Sequence, residues 1–198
     1  MAKPKEKEMA ALANLFFEAG QLKRLPRSGW LTIGIKDCET IAEHSFRSAL
    51  ISYVLAKMEG VDYSRILLAS LVHDLHEARI SDLNTTNKKY VKADERKAWE
   101  DALAGLPGEM RMEIESALDE KSKNSIEAKI CNDADKLEML VQAKEYLDLG
   151  HRNATDWIAS AQKNLRTNSA KRLAKIILRM DSNNWLLANR NESKGKKR

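Results

Sequence analysis

Apolar positions along this chain recur mostly at three- and four-residue spacing, and strictly alternating runs are scarce. Only three prolines and eight glycines interrupt the 198 residues. The pattern predicts helices near 7–23, 41–59, 63–79, 92–105, 107–121, 125–149, 153–165 and 168–189. Asp62 precedes the third as a cap, and the stretch GLPGE at 105–109 parts the fourth from the fifth. Gly150 follows LEMLVQAKEYLDL as a stop, and Asn153 opens the next helix. On the helix at 41–59, Ala42, Phe46, Ala49, Leu50 and Tyr53 suggest one closely packed side. On the last helix, Leu173, Ile176, Ile177, Met180 and Trp185 form an amphipathic stripe suited to packing on the domain or on a second subunit. The economical reading is one all-α domain over 8–189, with a flexible basic N-terminus at 1–7 and a disordered basic tail at 190–198.

Two segments resist helix assignment. Residues 24–40, RLPRSGWLTIGIKDCET, contain Pro26, Gly29 and Gly34, and residues 80–91, ISDLNTTNKKYV, are polar. Both adjoin helices that carry histidines, the usual place for substrate contacts.

Composition narrows the setting. Two cysteines, Cys38 and Cys131, do not make a disulfide framework, so a reducing cytosol is expected. No apolar run approaches the ~18–20 residues that span a bilayer, and MAKPKEKEMA has no apolar core of a signal peptide. The net charge of +5 sits in the ends: residues 1–7 carry +2 and 190–198 carry +4, which leaves the body at −1. Such tails offer only salt-sensitive, sequence-blind attraction, so nucleic acid is not expected as a partner.

The chemistry gathers around residues 71–80, LVHDLHEARI, which follow the apolar run ILLASLV. Charge at the end of a buried helix must be paired or bound to a metal. In a continuous helix His73 and Glu77 share a face, and Asp74 lies about 100° further round. His44, in ETIAEHSFRSAL, and the acidic CNDADKLEML at 131–140 lie on two other helices. Three helices can thus deliver imidazole, imidazole with carboxylate, and carboxylate to one point. Mixed nitrogen and oxygen donors suit manganese, cobalt, iron, nickel or zinc, with magnesium also admissible. The plainer alternatives are a hydrogen-bonded pair at a helix end for His73 and Asp74, and a core histidine beside Glu43 for His44. Asp133 and Asp135 stand about 200° apart on a helix, so one ion cannot take both, and the helical wheel does not choose between them.

The order H…HD…D resembles the HD-domain metal-dependent phosphohydrolases, which are all-α. LKRLPRSGW at 22–30, ETIAEHSFRSAL at 39–50, LLASLVHDLHEARISDL at 67–83 and DADKLEMLVQAKEY at 133–146 are similar to their 5′-deoxynucleotidase branch. The resemblance runs from about 8 to 165 and implies metal ligands at His44, His73, Asp74 and Asp135, a catalytic acid–base at Glu77 and a second acid at Asp82. It implies a substrate-pocket tryptophan at Trp30. In some members a phosphate-gripping arginine immediately precedes that tryptophan. Here Gly29 fills the slot, and Arg27 is the substitute. The resemblance assigns no role to His76, and Glu138 is at most an outer support.

The expected activity is metal-dependent hydrolysis of nucleoside 5′-monophosphates, preferably deoxyribonucleotides, by a cytosolic homodimer. A phosphodiesterase or nucleoside triphosphate hydrolase, and a nucleotide- or RNA-binding module with a structural metal, are the rivals. Substrate profile separates the first, and ligand binding without metal the second.

Overall fold

A computed structural model describes residues 3–120 and 124–186. The tail expected at 190–198 and the last residues of the helix expected at 168–189 lie outside them. The helices are α1 (Glu6–Gln21), α2 (Ser28–Leu31), α3 (Ile41–Glu59), α4 (Ser64–Val72), α5 (Glu77–Ile80), α6 (Glu95–Ala102), α7 (Gly108–Glu120), α8 (Ile126–Asp148), α9 (Thr155–Asn164) and α10 (Asn168–Ile177). Among the described residues the only β pairing is an isolated bridge between Pro26 and Thr40, so the all-α expectation holds. None of their helices is long and apolar enough to cross a membrane.

Helix α8 is the organising element, with α3, α4, α9 and α10 packed around it. The main core joins Leu55, Ile66, Ile130, Leu137 and Leu140. Thr40 starts α3 through a capping box: its hydroxyl accepts from Glu43 N–H (3.3 Å), and the Glu43 carboxylate accepts from Thr40 N–H (2.6 Å). Glu43 is thereby engaged with the cap rather than with its neighbour His44. Asp62 accepts from both the N–H and the hydroxyl of Ser64 at the head of α4, one residue before the actual N-cap, Tyr63. Gly150, at φ 98°, ends α8 in the left-handed region.

Three expectations change. The α3 side facing the core is Ile41, His44, Ser45, Ser48, Ala49, Ser52, Leu55 and Ala56, so Ala49 packs inward as expected whereas Phe46 is 70% and Leu50 54% exposed. Small serines let α8 and α4 approach closely, so the bulky apolar residues are left outside. On α10, which ends at Ile177, Leu173 and Ile177 pack inward while Ile176 lies exposed, as do Met180 and Trp185 beyond its end. The helix expected at 63–79 is broken: four turn residues, His73–His76, part α4 from α5. Their bonds run i to i+3, from Leu75 N–H to Val72 C=O and from Glu77 N–H to Asp74 C=O. Three residues per turn eclipses i with i+3. Asp74 and Glu77 therefore come to one side, and His73 lines the same cavity with them.

The two irregular segments are pinned together. Arg27 N–H donates to Glu39 C=O and Ile41 N–H to Leu25 C=O, closing the loop that holds α2. Asp82 accepts from Ser28 N–H at 2.7 Å, and the Asn84 amide donates to the Ser28 hydroxyl at 3.2 Å. Ser81 takes φ 65° at the exit of α5, a cost of about 1 kcal/mol or more that accompanies the turn into Asp82.

Candidate metal and phosphate site

His44 in the second turn of α3, the broken turn after α4 and the middle of α8 converge on one point. His44 Nε2 lies 3.2 Å from Asp135 Oδ1 and 3.7 Å from Asp74 Oδ2. His73 Nε2 lies 3.1 Å from Asp74 Oδ2 and 3.9 Å from Asp135 Oδ1. A cation about 2.0–2.2 Å from such donors sets them roughly 3–3.5 Å apart. All four residues named from the sequence are therefore brought together, and the spacing is close to what an ion needs.

The histidine tautomers are fixed from behind. His44 Nδ1 faces Glu138 Oε2 at 2.5 Å, and His73 Nδ1 faces the Ser70 carbonyl at 2.8 Å. Each acceptor holds the proton on Nδ1 and turns the Nε2 lone pair toward the carboxylates. Both Nε2 atoms are buried and have no hydrogen-bond partner among the described residues. Lone pairs aimed at carboxylate oxygens repel unless positive charge lies between them. Burial and Arg27 both oppose charge on His44, yet Asp135 and Glu138 outweigh them and lift its pKa to about 10. The same field suits a divalent cation, so His44, His73, Asp74 and Asp135 fit a metal.

Behind Glu138 runs a second row. Arg47 donates to Glu138 Oε1 (2.9 Å), to both Glu145 oxygens and to Gln142. Glu39 accepts from Trp30 Nε1 (2.8 Å), and burial, reinforced by Glu138, pushes its carboxyl up to about 8. Sequence reasoning missed Glu39 and Arg47. Arg47 lies three residues from His44 and Glu138 three from Asp135, so helical spacing was the available signal.

A cavity of about 400 Å³ opens over these groups, within the ~300–1,000 Å³ range of small-molecule sites. Arg27, Trp30, Glu77 and Asp82 all line it. Arg27 Nη1 lies 3.2 Å from Asp74 Oδ2 and 3.9 Å from Asp82 Oδ1, and those carboxylates keep its charge in place against burial. Glu77 Oε2 is buried without a hydrogen-bond partner among the described residues. Burial first, then Asp74 and Asp82, push its carboxyl up to about 9. His76 is buried, stacks on Trp99 (5.3 Å, 28°) and lines the same cavity, but it is not among the four converging donors. Asp133, the rejected alternative, is turned elsewhere: it accepts from Arg166 N–H, Thr167 N–H and the Thr167 hydroxyl. The Gly29 slot also has a local reason. A Cβ there would lie 2.5 Å from Cη2 of Trp157, so no larger residue fits while that ring stays put.

An all-α scaffold that gathers two histidines and two aspartates from three segments, in the order H…HD…D, is the architecture of one family. The chain belongs to the HD-domain family, whose model matches residues 19–177. It is 33% identical over 135 residues to the Danio rerio 5′-deoxynucleotidase HDDC2, covering 66% of each chain. It is 32% identical over 137 residues to the Homo sapiens 5′-deoxynucleotidase HDDC2, covering 67% of each. A Saccharomyces cerevisiae 5′-deoxynucleotidase is 31% identical over 154 residues, 74% of this chain and 63% of that one. The chain thus spans about two thirds of these relatives' length. Among solved structures, a conserved hypothetical protein from Pyrococcus furiosus is 34% identical with a TM-score of 0.70, over 85% of this chain and 99% of that one. A predicted metal-dependent phosphohydrolase from Magnetospirillum magnetotacticum shares the fold at 21% identity and a TM-score of 0.67, over 90% of this chain and 94% of that one.

Proposed function

We infer that this chain is a metal-dependent phosphohydrolase that converts nucleoside 5′-monophosphates, preferably 2′-deoxyribonucleotides, to nucleoside and phosphate. The observation that carries this reading is the pair of buried, unpartnered imidazole nitrogens facing two carboxylates beside an arginine-lined cavity. The names of the relatives, each a 5′-deoxynucleotidase, support the substrate class.

His44, His73, Asp74 and Asp135 would hold the ion, with manganese or cobalt the first candidates and iron, nickel, zinc or magnesium also compatible. When bound, the ion supplies Lewis acidity, lowering the pKa of a water and drawing charge from a phosphoryl oxygen. Arg27 presents its guanidinium fork to the phosphate oxygens. Glu77, protonated in its buried setting, gives its proton to the 5′ oxygen as the P–O bond to it breaks and a water oxygen bonds to phosphorus, and the proton that water releases restores the carboxyl. Asp82, held by Ser28 N–H, supports Arg27 and stiffens the cavity wall. Trp30 braces the sugar side.

The protein acts as a cytosolic homodimer in this reading. The exposed α3 stripe of Phe46, Leu50, Tyr53, Val54 and Met58 is the surface that supports self-association.

Phosphate release from dAMP, dCMP, dTMP and dUMP beside AMP and CMP, with manganese, cobalt or magnesium, tests the activity. Turnover of the deoxy substrates, abolished by EDTA and by Asp74→Ala, is the expected result. Glu77→Gln should slow it about 10²–10⁴-fold with the metal retained. Turnover of diesters or triphosphates alone would overturn the monophosphatase reading.

A further inference from the structure

Gly29 is the second residue of α2, a helical position, and its φ is not in the left-handed region. Backbone freedom does not explain a glycine there, and in a helix it costs about 1 kcal/mol against alanine. Space does explain it. An added Cβ would stand 2.5 Å from Trp157 Cη2 and 3.3 Å from Cζ2 and Cζ3, all atoms of the six-membered ring. Trp157 comes from α9, far along the chain, and leans on Trp30 with ring centroids 4.8 Å apart at 41°.

The two tryptophans are not equivalent. Trp30 is 2% exposed, and its N–H is committed to Glu39. Trp157 is half-buried and lines the cavity together with Met139. The short stretch from Arg27 to Trp30 therefore joins two unlike ends: a guanidinium on Asp74 at one, and an aromatic ledge admitted by Gly29 at the other. That polarity matches a nucleotide, with charge at the phosphate and a flat apolar face at the base.

We propose that Trp157 recognises the nucleoside by stacking on its base, and that the missing side chain at Gly29 is what lets the ring reach the cavity. This rests on the nucleotidase reading above and adds a specificity residue to it.

The test compares kcat/KM for a deoxynucleoside 5′-monophosphate with kcat/KM for 2-deoxyribose 5-phosphate, which lacks only the base. Trp157→Ala should lower that ratio about tenfold, the size of one base–aromatic stack, and chiefly through KM for the nucleotide. Trp157→Phe keeps a stacking face and should retain most of the ratio, which also covers the case of an alanine variant that does not fold. Gly29→Ala should lower the ratio by displacing the indole. Gly29→Ala combined with Trp157→Phe, whose smaller ring leaves room for the methyl, should recover it. An unchanged ratio in Trp157→Ala, or an equal loss on both substrates, would overturn the proposal and leave Trp157 a packing residue. No turnover of any monophosphate by the wild type would instead overturn the functional reading, and this inference with it.

Discussion

Helix α8 carries two buried or nearly buried carboxylates two residues apart, and they face different neighbourhoods. Asp133 faces the turn before α10, where the backbone N–H groups of Arg166 and Thr167 and the Thr167 hydroxyl all donate to it within 2.8 Å. Asp135 Oδ1 faces the Nε2 atoms of His44 (3.2 Å) and His73 (3.9 Å), and its other oxygen pairs with Lys136 Nζ at 3.1 Å beside the cavity. One environment is electrostatically complete within the protein. The other shares its charges among two imidazoles, a second carboxylate, Arg27 and Lys136 at the floor of a cavity. A buried acid saturated by backbone donors closes a fold, whereas one grouped with imidazoles and a second acid at a cavity has the donor set of a metal site.

The sharpest way to break this contrast is to neutralise each acid in turn. Asp135→Asn should reduce phosphate release well beyond the ~10–100-fold typical of changes behind a metal site, with bound metal lost in parallel and the thermal midpoint nearly unmoved. Elemental analysis beside an activity assay checks it. Asp133→Ala should do the reverse: stability falls by about 2–4 kcal/mol because three donors are stranded, while turnover per folded molecule is kept. Equilibrium denaturation with an active-site titration separates the two quantities. Should both variants lose metal, the contrast is mistaken.

Glu138 stands between these cases, since it touches His44 Nδ1 rather than the four converging donors. Glu138→Gln can still accept that hydrogen bond but no longer carries the charge that makes Nε2 a stronger donor. Metal affinity should fall about 10–100-fold, measured by competition with a chelator.

The smallest effect concerns its neighbour. Glu39 is pushed up from 4.5 to about 8 by burial and then by Glu138. The folded carboxyl thus keeps its proton where the unfolded chain has lost it. The contribution of Glu39 to stability is therefore fully present below about pH 4.5, declines as pH rises toward about 8, and then levels off. Glu39→Gln, which preserves an acceptor for Trp30, should flatten that slope in urea midpoints taken across pH 5 to 8. A slope unchanged by the substitution would assign the alkaline loss to another group.

Eight of the helices were readable because the apolar period is a local property, whereas the four-residue α2, inside a segment left irregular, and α5 were not. Caps at Thr40, Ser125 and Thr167, each accepting from an N–H three residues on, are local too. The HD order and the family it resembles pointed to His44, His73, Asp74 and Asp135 before any geometry was known, and the fold brings all four together. The break at His73–His76 was not readable, since an apolar run leading into HDLHE continues the helical pattern without a glycine or proline. Nor was the inner side of α3. Hydropathy selected Phe46 and Leu50, but the close approach of α8 selected serines.

By itself the sequence determined an all-α chain, the residue types of a cation site, and the order in which they occur. Only the tertiary structure gave the physical reason for Asp135 over Asp133, which the resemblance had already named, set Glu138 and Arg47 behind His44, and brought Trp157 against Gly29. The reason is physical. Helix propensity and period act over four residues, whereas pairing a carboxylate or stacking a ring depends on which distant segment packs there. Residues 29 and 157 meet only once α9 has folded onto α8.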